Sequence, residues 1–218
     1  MNILKIYAKY YLPKNLRLHM LQVAACSCML LDSWEGPEVH KGSIIRVCLL
    51  HDLGNILKIP EHFSRNPNFL RVRKECIEKF GHDDNALNLV LGKREGLTDR
   101  ELEILDDKNY TENEEFLKSD NYDKKIFVYS DRRVAPYGIV GIKDRLEDVK
   151  ERYKNKPWST WSDPQKADYL IDFSLKMEKQ LMQYCKIKPE DINDETVEYY
   201  IEKLKKVDID NLLESQIK

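Results

Sequence analysis

Apolar residues recur along most of the chain at intervals of three and four positions, the spacing of one face of an α-helix. The first clear case predicts a helix over Leu16–Leu31, with His19 on the same inward stripe as Leu16 and Val23. Only 8 glycines and 8 prolines occur in 218 residues, and dipeptides typical of β-hairpins are scarce. The pattern therefore predicts an all-α protein built as a helical bundle.

An apolar run, VCLLHDLGNI, surrounds an adjacent histidine and aspartate, His51 and Asp52. We expect a buried central helix here over Ile44–Leu57, with Ser43 as its N-cap. Gly54 would let a backbone or a ligand come close to this helix. The histidine and aspartate are then ionisable groups inside the core, which calls for a physical explanation.

The same spacing, together with capping residues, predicts several further helices. They are Arg71–Phe80 ended by Gly81, Asn85–Gly92, a helix begun by the Thr98–Glu101 capping box, Lys124–Arg133 and Lys143–Tyr153. Prolines, capping residues and tryptophans in Pro157–Pro164 mark the best candidate boundary. We place a main domain at residues 1–156 and a C-terminal helical extension at 157–218, packed on it. Within the extension, the charged segment Glu198–Lys206 is predicted to be exposed.

Composition and charge limit which cellular compartments and which classes of binding partner we expect for this protein. Lys and Arg number 36 against 38 Asp and Glu, so no overall positive field would attract long nucleic acid or an anionic membrane. The chain lacks a signal-peptide pattern and any apolar stretch of about 20 residues. Five cysteines, an odd number in apolar surroundings, predict reduced thiols. We therefore expect a cytoplasmic protein with no membrane partner, and the sequence leaves a homodimer open.

Four ionisable side chains are predicted to face the core from three helices: His19, the adjacent His51 and Asp52, and Asp131. A single buried histidine is ordinarily a hydrogen-bonded core residue, but a buried carboxylate without a partner costs several kcal/mol. Two imidazoles and two carboxylates form a donor set suited to Mn, Co, Ni, Fe, Mg or Zn. The sequence therefore predicts a divalent metal site with positions left for water and substrate.

The order of these residues resembles a known signature. His19, the His51–Asp52 pair and Asp131 are similar to the H…HD…D pattern of the HD-domain metal-dependent phosphohydrolase superfamily. VCLLHDLGNI resembles the family's central helix, residues 81–105 resemble the G-H-x-x-x-A segment that follows it, and YSDRRV resembles the helix that donates the last aspartate. The resemblance covers about residues 10–153, which is an ordinary domain size.

This resemblance implies an HD-domain-like helical fold and hydrolysis of phosphate esters by a metal-activated water. It implies that His19, His51, Asp52 and Asp131 are the metal ligands, and that Asp52 also orients the attacking water. The favoured substrate is a nucleotide or another small phosphomonoester. A non-catalytic nucleotide-binding module and an HD-type nuclease remain alternatives. The nuclease is disfavoured because the net charge is near zero and no basic, aromatic-rich groove is evident.

The remaining candidate residues would contact substrate. His82 stands where some family members place an extra histidine, and we prefer it as a phosphate ligand or proton donor. Its alternatives are a second-metal ligand, although a further expected histidine is absent, and a surface helix-capping residue. Arg17, Lys58, Arg132 and Arg133 are candidate phosphate-binding cations, because guanidinium and ammonium groups pair with phosphate oxygens. Each could instead be an ordinary surface charge.

Overall fold

The computed structural model describes residues 1–63, 66–106, 112–157 and 159–213. Within these residues the chain forms eleven α-helices, several short 3-10 turns and one two-stranded hairpin. The fold class is therefore all-α, as the sequence predicts. Trp158, which belongs to the candidate boundary segment, lies outside the described residues.

The elements follow one another in this order. They are α1 (Ile3–Lys9), α2 (Lys14–Asp32), α3 (Lys41–Leu50), α4 (Pro67–Phe80), α5 (Asp84–Arg94), α6 (Asp99–Leu105), α7 (Glu114–Lys118), α8 (Tyr122–Arg132), β1 (Val134–Ala135), β2 (Gly138–Ile139), α9 (Ile142–Tyr153), α10 (Pro164–Met182) and α11 (Asp194–Leu204). Short 3-10 turns cover Leu53–Leu57, Glu61–Phe63, Thr160–Ser162, Pro189–Asp191 and Ile209–Leu213. Strands β1 and β2 are antiparallel, and Val134 pairs with Ile139.

Eight of the eleven helices begin after an Asn, Asp or Thr whose side chain accepts a backbone N–H of the first turn. Thr98 forms the predicted capping box, in which its own N–H donates to Glu101 Oε2 at 2.7 Å. Gly81 ends α4 as predicted, with a φ of 61° that suits glycine. These local signals explain why the helix positions follow from the sequence.

Helix α2 lies at the centre of the bundle, and α3, α8 and α11 pack against it. Helix α3 is buried from Ser43 to Leu50, including the charged side chain of Arg46. The Arg46 guanidinium is 1% exposed and pairs with Glu101 at 2.8 Å. It also donates to the carbonyl oxygens of Gly96 at 2.6 Å and Ile209 at 2.7 Å. This one side chain therefore ties α3 to α6 and to the last 3-10 turn.

The continuous helix predicted over Ile44–Leu57 is wrong. Helix α3 ends at Leu50, His51 and Asp52 form a turn, and the chain continues as a 3-10 helix. The prediction of Ser43 as N-cap is also wrong, because α3 already begins at Lys41 after His40. The histidine and aspartate thus lie in a bend and not in the middle of a helix.

Gly54 allows another helix to approach this bend, as the sequence suggested. The Gly54 N–H donates to Asn88 Oδ1, and a Cβ on Gly54 would lie 2.5 Å from the Asp84 carbonyl oxygen. Because that distance is far below van der Waals contact, only glycine fits against the start of α5. The close approach is made by backbone, and it helps to hold the bend in place.

The prediction that Glu198–Lys206 is exposed is wrong for one face of the segment. Helix α11 buries Val197, Ile201 and Leu204 against α2, while Glu195, Glu198 and Glu202 are exposed. The segment around Asp208 also contacts the N-terminal segment, because Asn2 pairs with Asp208 through a β-bridge. None of the helices in the described part of the chain is long and apolar enough to cross a membrane.

Candidate metal centre

The structure brings the four side chains of the predicted metal set close together. His19 comes from α2, His51 and Asp52 from the bend after α3, and Asp131 from the last turn of α8. His19 Nε2 lies 3.1 Å from Asp131 Oδ1 and 3.5 Å from Asp52 Oδ2. His51 Nε2 lies 3.4 Å from Asp131 Oδ1 and 3.7 Å from Asp52 Oδ1. We call these four residues the His–Asp cluster.

A backbone hydrogen bond fixes how His51 presents its ring. Its Nδ1 lies 2.8 Å from the Cys48 carbonyl oxygen, which can only accept, so Nδ1 carries a proton. In the neutral ring the lone pair is then on Nε2, and Nε2 is the atom that faces the cluster. Metal-ligating histidines commonly donate their other ring N–H to a carbonyl or carboxylate in this way.

The electrostatics of the cluster favour positive charge at its centre. Burial lowers the pKa of His51, but Asp52 and Asp131 outweigh this effect and raise that pKa to about 9. Burial raises the pKa of Asp131, whereas hydrogen bonds from His19 and His51 hold it well below its usual range. The two carboxylates thus stabilise positive charge in the cluster, whether it comes from a protonated imidazole or from a bound metal ion.

The donor set fits a divalent metal. One ligand atom each from His19, His51 and Asp131 lies within 4.8 Å of the others, and Asp52 adds a carboxylate next to both imidazoles. Two nitrogen donors and two oxygen donors suit first-row transition metals and also magnesium. These distances arise where α2, the bend after α3 and the last turn of α8 pack together.

A cavity of about 400 Å³ opens beside the cluster, and His19 and Asp52 form part of its wall. This volume lies within the range of small-molecule pockets. The other lining residues combine apolar side chains, amides and two cations: Asn15, Leu16, Leu18, Gln22, Asn55, Lys58, Ile59, Pro60, Val134, Ala135, Pro136 and Arg145. We call this cavity the groove.

The hairpin side of the groove is held by the C-terminal part of the chain. The Ile139 N–H donates to Asp194 Oδ1 at 3.0 Å, and Gln22 donates to the same oxygen at 3.3 Å. Gly138, whose φ is 135°, makes room for this carboxylate, because a Cβ there would lie 2.4 Å from Asp194 Oδ2. The position of α11 therefore helps to shape the groove.

Among the candidate phosphate-binding cations, the structure brings Lys58 to the groove, where its ammonium pairs with Asp84 at 2.6 Å. Arg17 is absent from the groove lining and donates from Nε to the Leu12 carbonyl oxygen at 2.5 Å. It lies two residues from His19, so its side chain leaves α2 on a different face.

The two arginines after Asp131 are occupied by structural contacts. Arg132 donates to Ser174 Oγ at 2.6 Å and pairs with Glu112. Arg133 is 3% exposed, and its donors reach four oxygen atoms of the protein, among them the Val140 carbonyl at 2.6 Å. Neither residue lines the groove, because both point from α8 toward the C-terminal elements.

His82 is exposed in the turn between α4 and α5 and does not line the groove. Arg145, by contrast, lines the groove and was missed by sequence reasoning, which treated its helix as a charged surface element. A signal was present: Arg145 lies between Ile142 and Leu146, the two buried residues of α9, so its side chain leaves the helix toward the bundle.

Comparisons with protein-family models, with curated proteins and with solved structures give no match for this chain. Its function is therefore inferred from the geometry of the His–Asp cluster and of the groove beside it.

Proposed function

We propose that this protein is a metal-dependent phosphohydrolase that acts on a small phosphomonoester, with nucleotides as the first candidates. The single observation that supports this most is the convergence of two imidazoles and two carboxylates in the wall of a groove of small-molecule size. A divalent cation held there would polarise a phosphoryl oxygen and make a bound water more acidic. Such a substrate also suits the cytoplasmic setting expected from the sequence.

The residues of the cluster would have different roles according to whether they line the groove. His51 is buried, and it would hold the metal together with His19 and Asp131. Asp52 lines the groove, so its carboxylate would also orient the attacking water and accept its proton. We do not assign a proton-transfer role to His82, because it is not part of the groove lining.

The test begins with metal binding. Protein stripped with a chelator is reloaded with Mn²⁺, Co²⁺, Ni²⁺ or Mg²⁺, and metal content is measured by mass spectrometry. We expect one ion per chain and metal-dependent release of phosphate from a panel of phosphomonoesters that includes nucleoside monophosphates. His19→Gln and Asp131→Asn should each lower metal affinity by more than about tenfold, because loss even of outer contacts to a metal ligand costs about 10- to 100-fold.

His40→Gln is the matched control, since His40 is a half-exposed histidine that pairs with Asp123 at 3.2 Å away from the cluster. It should leave metal content and phosphate release unchanged. Phosphate release in excess chelator, or full metal content in both cluster variants, would contradict the proposal. Tight metal-dependent nucleotide binding without turnover would favour a regulatory module, and cleavage of single-stranded DNA or RNA would favour a nuclease.

A further inference from the structure

Arg145 lies in the wall of the groove with His19 and Asp52, and its guanidinium is anchored on one side only. Nε donates to the Val134 carbonyl oxygen of β1 at 2.9 Å, and Nη1 has a long contact of 3.4 Å with Asp148. Nη2 has no hydrogen-bond partner among the residues that the structure describes. A guanidinium offers five N–H donors, so Arg145 keeps donors for a ligand while its orientation is already set.

The carboxylates near the Arg145 guanidinium are Asp131 of the cluster and Asp148. Its closest paired carboxylate, Asp148, also pairs with Arg152 at 2.7 Å, so one carboxylate serves two guanidinium groups. The Arg145 side chain is 19% exposed, which reduces the screening of its charge by water. An anion in the groove would pair with the part of the guanidinium that lines the cavity.

The other candidate cations are less suited to this role. The Lys58 side chain is 61% exposed and already pairs with Asp84 at 2.6 Å, so a ligand would have to compete for its ammonium. Arg132 and Arg133 contact protein atoms outside the groove. Arg145 is thus the groove-lining cation, within the described residues, that combines a fixed orientation with an available donor.

We infer that Arg145 binds the non-bridging oxygens of a terminal phosphate group, and that the groove thereby selects ligands that end in a phosphate. This inference rests on the proposed function of the adjacent metal site. The planar guanidinium matches two phosphate oxygens at once, whereas an ammonium acts as a single point charge. An internal phosphodiester has one fewer negative charge and fewer free oxygens, so it gains less from this contact.

The experiment uses the full chain loaded with Mn²⁺ and inorganic phosphate as the probe, with binding measured by calorimetry. Arg145→Gln should weaken phosphate binding by about 10- to 100-fold, the range expected for loss of a hydrogen bond to a charged group. Its Mn²⁺ affinity, measured in parallel by electron paramagnetic resonance, should stay within about threefold of the original, since Arg145 holds no metal. A merely structural role would change Mn²⁺ affinity or folding instead.

Arg152→Gln is the matched control, because Arg152 lies on the same helix and pairs with the same Asp148 but does not line the groove. It should bind phosphate like the original protein. Arg145→Lys keeps the charge and serves if the glutamine variant fails to fold. It should still bind phosphate several-fold more weakly, since an ammonium lacks the planar set of donors that matches two phosphate oxygens.

The outcomes separate this inference from the proposed function. If the original protein does not bind Mn²⁺ at the cluster, the proposed function fails and the inference fails with it. If Mn²⁺ binds but phosphate does not, or if phosphate binds equally well to the Arg145 variants, only the inference is overturned. Equal weakening by Arg145→Gln and Arg152→Gln would also overturn it, because a general charge effect would then explain both.

Discussion

Raising the pH of the metal-free protein should lower its free energy of unfolding, because the His–Asp cluster stabilises a protonated imidazole. The pKa of His51 is raised from 6.5 to about 9 in the folded protein. The folded state therefore holds this proton more tightly than the unfolded chain does. The resulting stabilisation is complete below pH 6.5 and is lost as the pH rises to about 9. At about 1.4 kcal/mol per pKa unit, the loss amounts to about 3 kcal/mol.

This change is large beside the total stability of a typical domain, which is about 5–15 kcal/mol. It can be measured by urea unfolding in chelator, followed by tryptophan fluorescence, at several pH values between 6.5 and 9. The matched control is the double variant His19→Gln/His51→Gln, which lacks both imidazoles of the cluster. The amino terminus, whose pKa is raised by Asp208, affects both proteins in the same direction. The difference between their pH profiles therefore reports on the cluster.

Metal should reverse this trend in the original protein. A divalent cation competes with protons for the same nitrogen and oxygen atoms, so stabilisation by Mn²⁺ should increase with pH. A free metal concentration about 100 times the dissociation constant stabilises a protein by about 2.7 kcal/mol. A flat pH profile for the original protein in chelator, or equal slopes for it and the double variant, would refute the reasoning. The histidines would then not be stabilised by the two carboxylates.

Two further predictions concern the scaffold that holds the cluster. Arg46→Met should lower the free energy of unfolding by about 3–5 kcal/mol, because it leaves the fully buried Glu101 carboxylate without its ion pair; a loss below about 1 kcal/mol in urea unfolding would contradict this. Gly54→Ala should cost about 1–3 kcal/mol and weaken Mn²⁺ binding, because the new methyl group would lie 2.5 Å from the Asp84 carbonyl oxygen and displace the bend that carries Asp52; unchanged metal affinity would show that the bend tolerates the shift.

The sequence alone predicts the helices well, because their signals are local. Apolar spacing, the capping box of Thr98 and the stop at Gly81 each act within one or two turns of chain. The same spacing placed His19 and Asp131 on inward faces, and the His51–Asp52 pair, expected to be buried, called for a partner. A shared site for these four side chains could therefore be predicted before their distances were known.

Only the tertiary structure decides features that depend on contacts between distant segments. Helix α3 ends at Leu50. Just after it, Gly54 packs against the start of α5, which follows some thirty residues later in the sequence. The burial of one face of α11 depends on α2, nearly the whole chain length away. Local sequence patterns do not indicate such long-range contacts, so the predictions for both elements were wrong.

The same division applies to the site. Residue types and inward spacing predicted the candidate metal-binding set, because a carboxylate expected to face an apolar core calls for a compensating charge wherever the helices finally lie. The choice of cations in the groove was decided by packing. Arg17 and Arg145 are both arginines on amphipathic helices, but only Arg145 leaves its helix toward the groove and keeps a donor available there. Side-chain direction and competing partners decide which charge meets a ligand, and both exist only in the folded chain.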